Sequence, residues 1–177
     1  MLQMNDVIQI SIPRTLFGVG AINRISDAIK EFGAEKVLVV TDKGLVNAGV
    51  AEQALNAIKA GDLEVDVFDR TGAEAPVSII QELADLINKE GYGLLVAVGG
   101  GSSMDTTKTA AHLASNPGLS VDDLIKRAPF KRTLPIIAVP TTAGTGSEWS
   151  AWAVIHNDVA DNVHYPYDTT SNYPDLV

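Results

Sequence analysis

No cysteine occurs in the 177 residues, which removes disulfides, thiolate-ligated zinc and a thiol nucleophile and agrees with a reducing cytoplasm. No apolar run is long enough to span a bilayer, and the opening MLQMNDVIQI carries no basic flank of a leader, so no membrane partner is expected. Positive charge is scarce as well. Thirteen Lys and Arg against 22 Asp and Glu leave a net charge of -9, which opposes binding to a phosphate backbone. The one basic cluster, Lys126, Arg127, Lys131 and Arg132 around Pro129, reads as a solvated loop, and nucleic acid is set aside. There are three histidines, His112, His156 and His164. Their spacing matches no compact ligand set, so no metal is expected within this chain.

What the chain does have is an alternation of short apolar runs with helical periodicity. Residues 7–12 alternate as a strand, and Phe17, Gly18 and Gly20 mark a turn. Ile22, Ile25 and Ile29 recur at helical spacing over 21–32, with Gly33 as the stop. Strand 36–40 precedes a helical stretch over 44–60 that ends at Gly61, and strand 63–68 follows. Pro76 suits the first turn of a helix that stops at Gly91. Residues 94–98 and 134–139 are continuous apolar runs, the kind of strand covered on both faces. The pattern predicts an α/β fold: a Rossmann-like open, mostly parallel sheet with helices on both faces. A β-hairpin over 151–156 and 163–167 comes near the end, followed by an extended polar stretch that looks interrupted rather than finished.

Two loops carry the chemistry. Residues 94–111 read LLVAVGGGSSMDTTKTAA, a strand, three glycines and a helix start. Glycines admit a phosphate close to the backbone, and a helix start offers unpaired N–H groups and a positive dipole end. Gly99, Gly100 and Gly101 lack the spacing of the usual dinucleotide fingerprint, and no Walker lysine follows. The other use of such a turn is structural, with Ser102 and Asp105 as a capping box, although a cap needs no triple glycine. The second loop, 139–148, reads VPTTAGTGSE. Thr141, Thr142, Thr145 and Ser147 offer hydroxyls there, either to a ligand or to their own backbone. Asp42 closes strand 36–40, where a carboxylate accepts both ribose hydroxyls and repels a 2′-phosphate, or simply caps the next helix. Two polar loops at strand ends point to a dinucleotide, with NAD favoured over NADP. Trp149 and Trp152 follow the second loop, as packing residues or as the wall of an apolar pocket beside the ligand.

Together the motifs Phe17-Gly18 with Gly20, Val39-Val40-Thr41-Asp42-Lys43, Gly99-Gly100-Gly101-Ser102-Ser103-Met104-Asp105 and Pro140-Thr141-Thr142-Ala143-Gly144-Thr145-Gly146-Ser147-Glu148 resemble the iron-containing (group III) alcohol dehydrogenases. The resemblance runs through the whole chain but matches only the family's N-terminal, nucleotide-binding half. It implies that Asp42 holds the adenosine ribose, that Gly100, Gly101, Ser102 and Asp105 surround the diphosphate and approach the nicotinamide ribose, and that Thr141, Thr142 and Thr145 line the adenine and diphosphate side. It also implies a bulky residue near the substrate at Trp152. Residues 69–76, DRTGAEAP, depart from the family's Pro-Asn-Pro-type turn, and His164 stands where the family has a cofactor-reaching lysine.

The family's metal ligands, one Asp and three His, belong to a C-terminal half beyond this stretch, so iron or zinc is implied only in the complete enzyme. There the metal would polarise the alcohol or aldehyde oxygen while hydride passes to or from the nicotinamide. The chain is thus expected to be an NAD-binding domain over residues 1–177, inactive alone, and to self-associate as a homo-oligomer or through the surface left by the missing half. Alternatives are a stand-alone nucleotide-binding or assembly module, or the same half of a polyol dehydrogenase or a dehydroquinate-synthase-like enzyme.

Overall fold

The computed structural model describes residues 12–126 and 130–177, so the expected strand at 7–12 falls outside it except for Ile12, as do Arg127 and Pro129 of the basic cluster. Four strands, β1 (Lys36–Val40), β2 (Glu64–Phe68), β3 (Leu94–Gly99) and β4 (Ile136–Pro140), form a sheet in the order β2-β1-β3-β4. Every pairing in it is parallel. Residues of β1 and β3 are buried on both faces, which is why their sequences are unbroken apolar runs. Leu38, Val40 and Leu95 face one core, while Val37, Val39, Leu94, Val96 and Val98 face the other.

Helices cover both faces. α1 (Ile25–Glu31) follows a 3-10 turn at Ala21–Arg24, and it packs with α3 (Val50–Lys59) on the second core. α4 (Val77–Glu90) and α5 (Gly101–Ser115) cover the first, with α6 (Val121–Ile125) beside them. The stretch expected as one helix over 44–60 is two. α2 (Lys43–Asn47) ends before Gly49, whose φ of 72° breaks the helix and starts α3. Gly61 is not a left-handed stop; a Cβ there would lie 2.5 Å from Ser26 Cβ, so glycine lets α1 and the end of α3 touch.

The hairpin forms as β5 (Trp152–Asn157) and β6 (Val163–Asp168), with a longer connection than a two-residue turn. The polar stretch after it is not loose. Leu176 is buried and bridges both Ile137 and Arg14, so residues 175–177 extend the sheet beside β4. Arg132 fixes this segment, donating to the carbonyls of Leu134, Ser171 and Tyr173 and pairing with Asp175 at 2.7 Å. No helix among the described residues is long and apolar enough to cross a membrane.

Candidate functional site

In a parallel sheet all strands end on the same side, and the loops leaving them meet there. The loops after β1, β2, β3 and β4 contribute Asp42, Thr71, Gly100 and Thr142 respectively to one cavity of about 590 Å³. It lies where the strand order reverses between β1 and β3, with α3 on one face of the sheet and α4 and α5 on the other. That is the crevice in which open α/β sheets bind ligands.

The start of α5 opens into this cavity. Its N-cap, Gly100, is extended and supplies no side-chain cap, whereas Asp42 caps α2 and Ser120 caps α6 through a capping box. The amides of Gly101, Ser102 and Ser103 therefore have no carbonyl one turn back and no capping oxygen, beside a cavity they help to line. An anion placed there would satisfy them. Ser102 and Asp105 form no capping box. Ser102 Oγ accepts from Glu74 N–H at 3.0 Å, and Asp105 turns inward. The glycines are needed for closeness: a Cβ on Gly100 would lie 3.1 Å from Thr142 Oγ1, and one on Gly99 would lie 2.4 Å from Ser103 Oγ.

Asp42 caps α2 and also faces the cavity. Oδ1 accepts from Leu45 N–H at 2.9 Å as the cap, while the residue also lines the cavity. Thr71 closes the floor: its hydroxyl donates to the Thr41 carbonyl at 2.8 Å and lies 3.0 Å from Ser103 Oγ.

Behind the cavity, α5 is buried from Ser103 to Leu113, although that stretch contains four hydroxyl residues, an aspartate, a lysine and a histidine. Thr107 and Thr109 satisfy their hydroxyls on the carbonyls of Ser103 and Asp105. Asp105 accepts from Ser147 Oγ at 2.6 Å and Val154 N–H at 2.9 Å. Lys108 Nζ donates to the carbonyls of Ser147, Ser150 and Trp152, and lies 3.7 Å from Asp105 Oδ1. Burial pulls the lysine down to about 8, opposed by the Asp105 charge, and burial raises the Asp105 carboxyl despite Lys108 beside it. One α5 pair thus holds the whole turn from Ser147 to the start of β5.

The family model for iron-containing alcohol dehydrogenases matches residues 13–177. The chain belongs to the iron-containing alcohol dehydrogenases. It is 40% identical to a choline dehydrogenase of Bacillus subtilis (strain 168) over 146 residues, which is 80% of this chain and 36% of that protein. It is 35% identical to an NAD-dependent methanol dehydrogenase of Bacillus methanolicus over 154 residues, 87% of this chain and 40% of the relative. The chain thus spans well under half the length of these curated relatives. Among solved structures, NADH-dependent butanol dehydrogenase A from Thermotoga maritima superposes with a TM-score of 0.90 at 28% identity, covering 98% of this chain and 44% of that one. Sulfoacetaldehyde reductase from Bifidobacterium kashiwanohense in complex with NAD+ superposes at 0.86 and 30% identity, covering 97% of this chain and 46% of the other.

Of the residues singled out in the sequence, Asp42, Gly100, Gly101, Ser102 and Thr142 line the cavity together. Gly99 ends β3 beneath it, and Thr141 N–H continues the ladder to the Gly99 carbonyl at 3.0 Å. Thr145 packs opposite Gly101, and Ser147 is buried against Asp105 and Lys108. Trp149 lines a separate apolar cleft of about 320 Å³ with Leu16, Phe17, Ile22 and Val177, while Trp152 lines neither space. The sequence reading missed Lys43, Gly44, Thr71, Gly72, Ala73 and Ser103 in the cavity, and Lys108 behind it. A rule was available for Thr71 to Ala73: any loop leaving the carboxyl end of a parallel strand joins the site.

The histidines need a correction. His156 and His164 face each other across the hairpin, with ring centroids 4.6 Å apart, and Glu74 joins them so that the three donor atoms lie within 4.8 Å. Strand pairing, not spacing along the chain, makes the group compact. His112 stands apart, sealed inside α5, with no hydrogen-bond partner on either ring nitrogen among the described residues. Burial, with Arg132 nearby, holds its imidazole down at about 4. Because the unfolded chain titrates near 6.5, it takes up that proton first as pH falls. Stability contributed by neutral burial is intact above about 6.5 and is lost down to about 4, on the order of 3 kcal/mol in all. Urea unfolding across that range should show the loss, and His112→Leu should remove it; an equal slope in the variant would refute the assignment.

Proposed function

We propose that residues 1–177 form the NAD-binding unit of an iron-type alcohol dehydrogenase, acting on an alcohol or aldehyde in the whole protein. The observation that carries this reading is the uncapped start of α5 at the cavity where four strand ends meet. Helix-start amides without a cap are a ready anion site, and a diphosphate in the cavity would supply the missing acceptors. The fit extends along the cavity. The amides of Gly101, Ser102 and Ser103 take the diphosphate, and the Thr142 hydroxyl closes over it. Asp42, already oriented by Leu45 N–H, accepts from the adenosine ribose hydroxyls. Its charge repels a 2′-phosphate, which sets NAD above NADP.

When bound, the nicotinamide ring exchanges a hydride with the substrate carbon. This chain positions it. The Asp105–Lys108 pair fixes the turn 147–152 and the first residues of β5, so the wall beside the cavity is set before the cofactor arrives. The family's iron does not fit the residues present. Its ligand set is one Asp and three His, whereas His112 is sealed in α5 far from the hairpin pair in sequence and packed on Phe130. No step through iron is therefore assigned to this chain.

An exposed apolar rim supports association. Phe17 is fully exposed beside the cleft that Trp149 lines, and an uncovered apolar face of this kind suits a neighbouring domain or a second copy.

The test is a titration of the chain with NAD and with NADP, before and after Asp42→Gly. Glycine is tolerated at an N-cap at a cost of a few tenths of a kcal/mol, so folding should persist. Preference for NAD should fall at least about tenfold, the equivalent of one 1.4 kcal/mol interaction. An unchanged preference would remove Asp42 from the role.

A further inference from the structure

We propose that Glu74, His156 and His164 form a binding site for a divalent transition ion of the zinc type, at the edge of the glycine-loop cavity. The three donors come from three backbone segments: the loop before α4, β5 and β6. Glu74 Oε2 lies 3.4 Å from His164 Nε2 and 3.7 Å from His156 Nδ1. Ligands about 2.0–2.1 Å from a tetrahedral ion stand roughly 3.3–3.4 Å from one another, so the two separations from Glu74 need only a small contraction. The imidazoles are stacked 12° from parallel, so the half-exposed His164 ring turns to aim its in-plane lone pair at the ion. Two imidazoles and one carboxylate suit zinc, cobalt or nickel rather than calcium or magnesium, which take oxygen donors.

Three further observations show that the donors are held in place. His156 Nε2–H donates to Asn162 Oδ1 at 2.8 Å, which fixes the tautomer and leaves the Nδ1 lone pair for the ion. The amide oxygen stands where metal-bound histidines ordinarily have a carboxylate, a backbone carbonyl or a water. Glu74 and Ala75 have left-handed backbones, with φ of 67° and 50°, and such strain in residues other than glycine clusters at functional sites. The strained segment is tied at two points: Glu74 N–H bonds Ser102 Oγ, and the Ala75 carbonyl accepts from His156 N–H at 3.1 Å. Glu74 and His164 are half-exposed, so an ion can reach them. The Ser102 contact also places the ion's charge beside the start of α5. The resemblance carries no metal ligand onto any of these three residues.

Cobalt(II) is the probe, because its visible absorption reports coordination directly. The 177-residue chain is titrated with Co2+, and zinc is then added to displace it. A visible band saturating at one ion per chain is expected, bleached by zinc. His164→Gln, a change at a half-exposed hairpin position, should weaken binding at least tenfold, as should Glu74→Gln. Asn162→Ala should weaken it by about 10–100-fold through the second partner of His156. Asp27→Asn, far from the hairpin, should leave the titration unchanged. Circular dichroism of each variant confirms the fold. A missing band in the wild-type chain, or an identical titration in His164→Gln, would show that the cluster is only a carboxylate–imidazole ion pair and would overturn the proposal.

Discussion

Lys108→Met lowers the unfolding free energy by about 3–5 kcal/mol, the range for removing one partner of a buried ion pair. Methionine fills most of the lysine's volume, so the loss is polar. Asp105 keeps its place with Ser147 and Val154 but loses the cation beside it, and three carbonyls lose the donor they share. Denaturant unfolding measures the change. The double variant Asp105→Asn with Lys108→Met should cost markedly less than the sum of the two single changes, because the second no longer strands a charge. A loss under 1 kcal/mol for Lys108→Met, or strict additivity, would show that the turn 147–152 stands without the pair.

Gly99→Ala is expected to cost about 2–3 kcal/mol, as overpacking at a tight contact does. The new methyl would meet Ser103 Oγ at 2.4 Å and Ser103 Cβ at 2.6 Å, and neither can swing away. Ser103 lies in the first turn of α5, and its hydroxyl is joined to Thr71, which bonds the Thr41 carbonyl. Relief therefore comes from lifting α5 off the end of β3. That moves the amides away from the proposed phosphate position, so NAD affinity should fall together with stability. Ser103→Gly in the same chain removes the obstructing atoms and should recover part of both. Failure of that second change to recover anything would locate the damage elsewhere.

The architecture was legible because it rests on local signals. β1 and β3 are continuous apolar runs, Gly33 and Gly91 stop their helices, and the triple glycine sits at a strand-to-helix turn. The break at Gly49 was missed because apolar spacing alone carries across it; only the left-handed backbone separates α2 from α3. α5 misled in another way. Its sequence, GSSMDTTKTAAHLAS, has no apolar stripe, so Asp105 looked free for a ligand and Lys108 drew no notice. Their burial follows from α4, β3 and β5 packing around the same helix, which no window of sequence contains. The histidine pair was hidden differently: the hairpin was expected, but the register that sets His156 opposite His164 was not read from it. The placement of Asp42 and the α5 start at the cavity was legible because each follows its strand directly in sequence.

Leu176 sits between Ile137 and Arg14, and the residues it joins to Arg14 are 162 positions apart (176 − 14). Closing so long a loop gives no return until the sheet between them exists. That seam is therefore expected to assemble late, after the strands it borders, and φ-values near zero at Leu176 would be the sign of it.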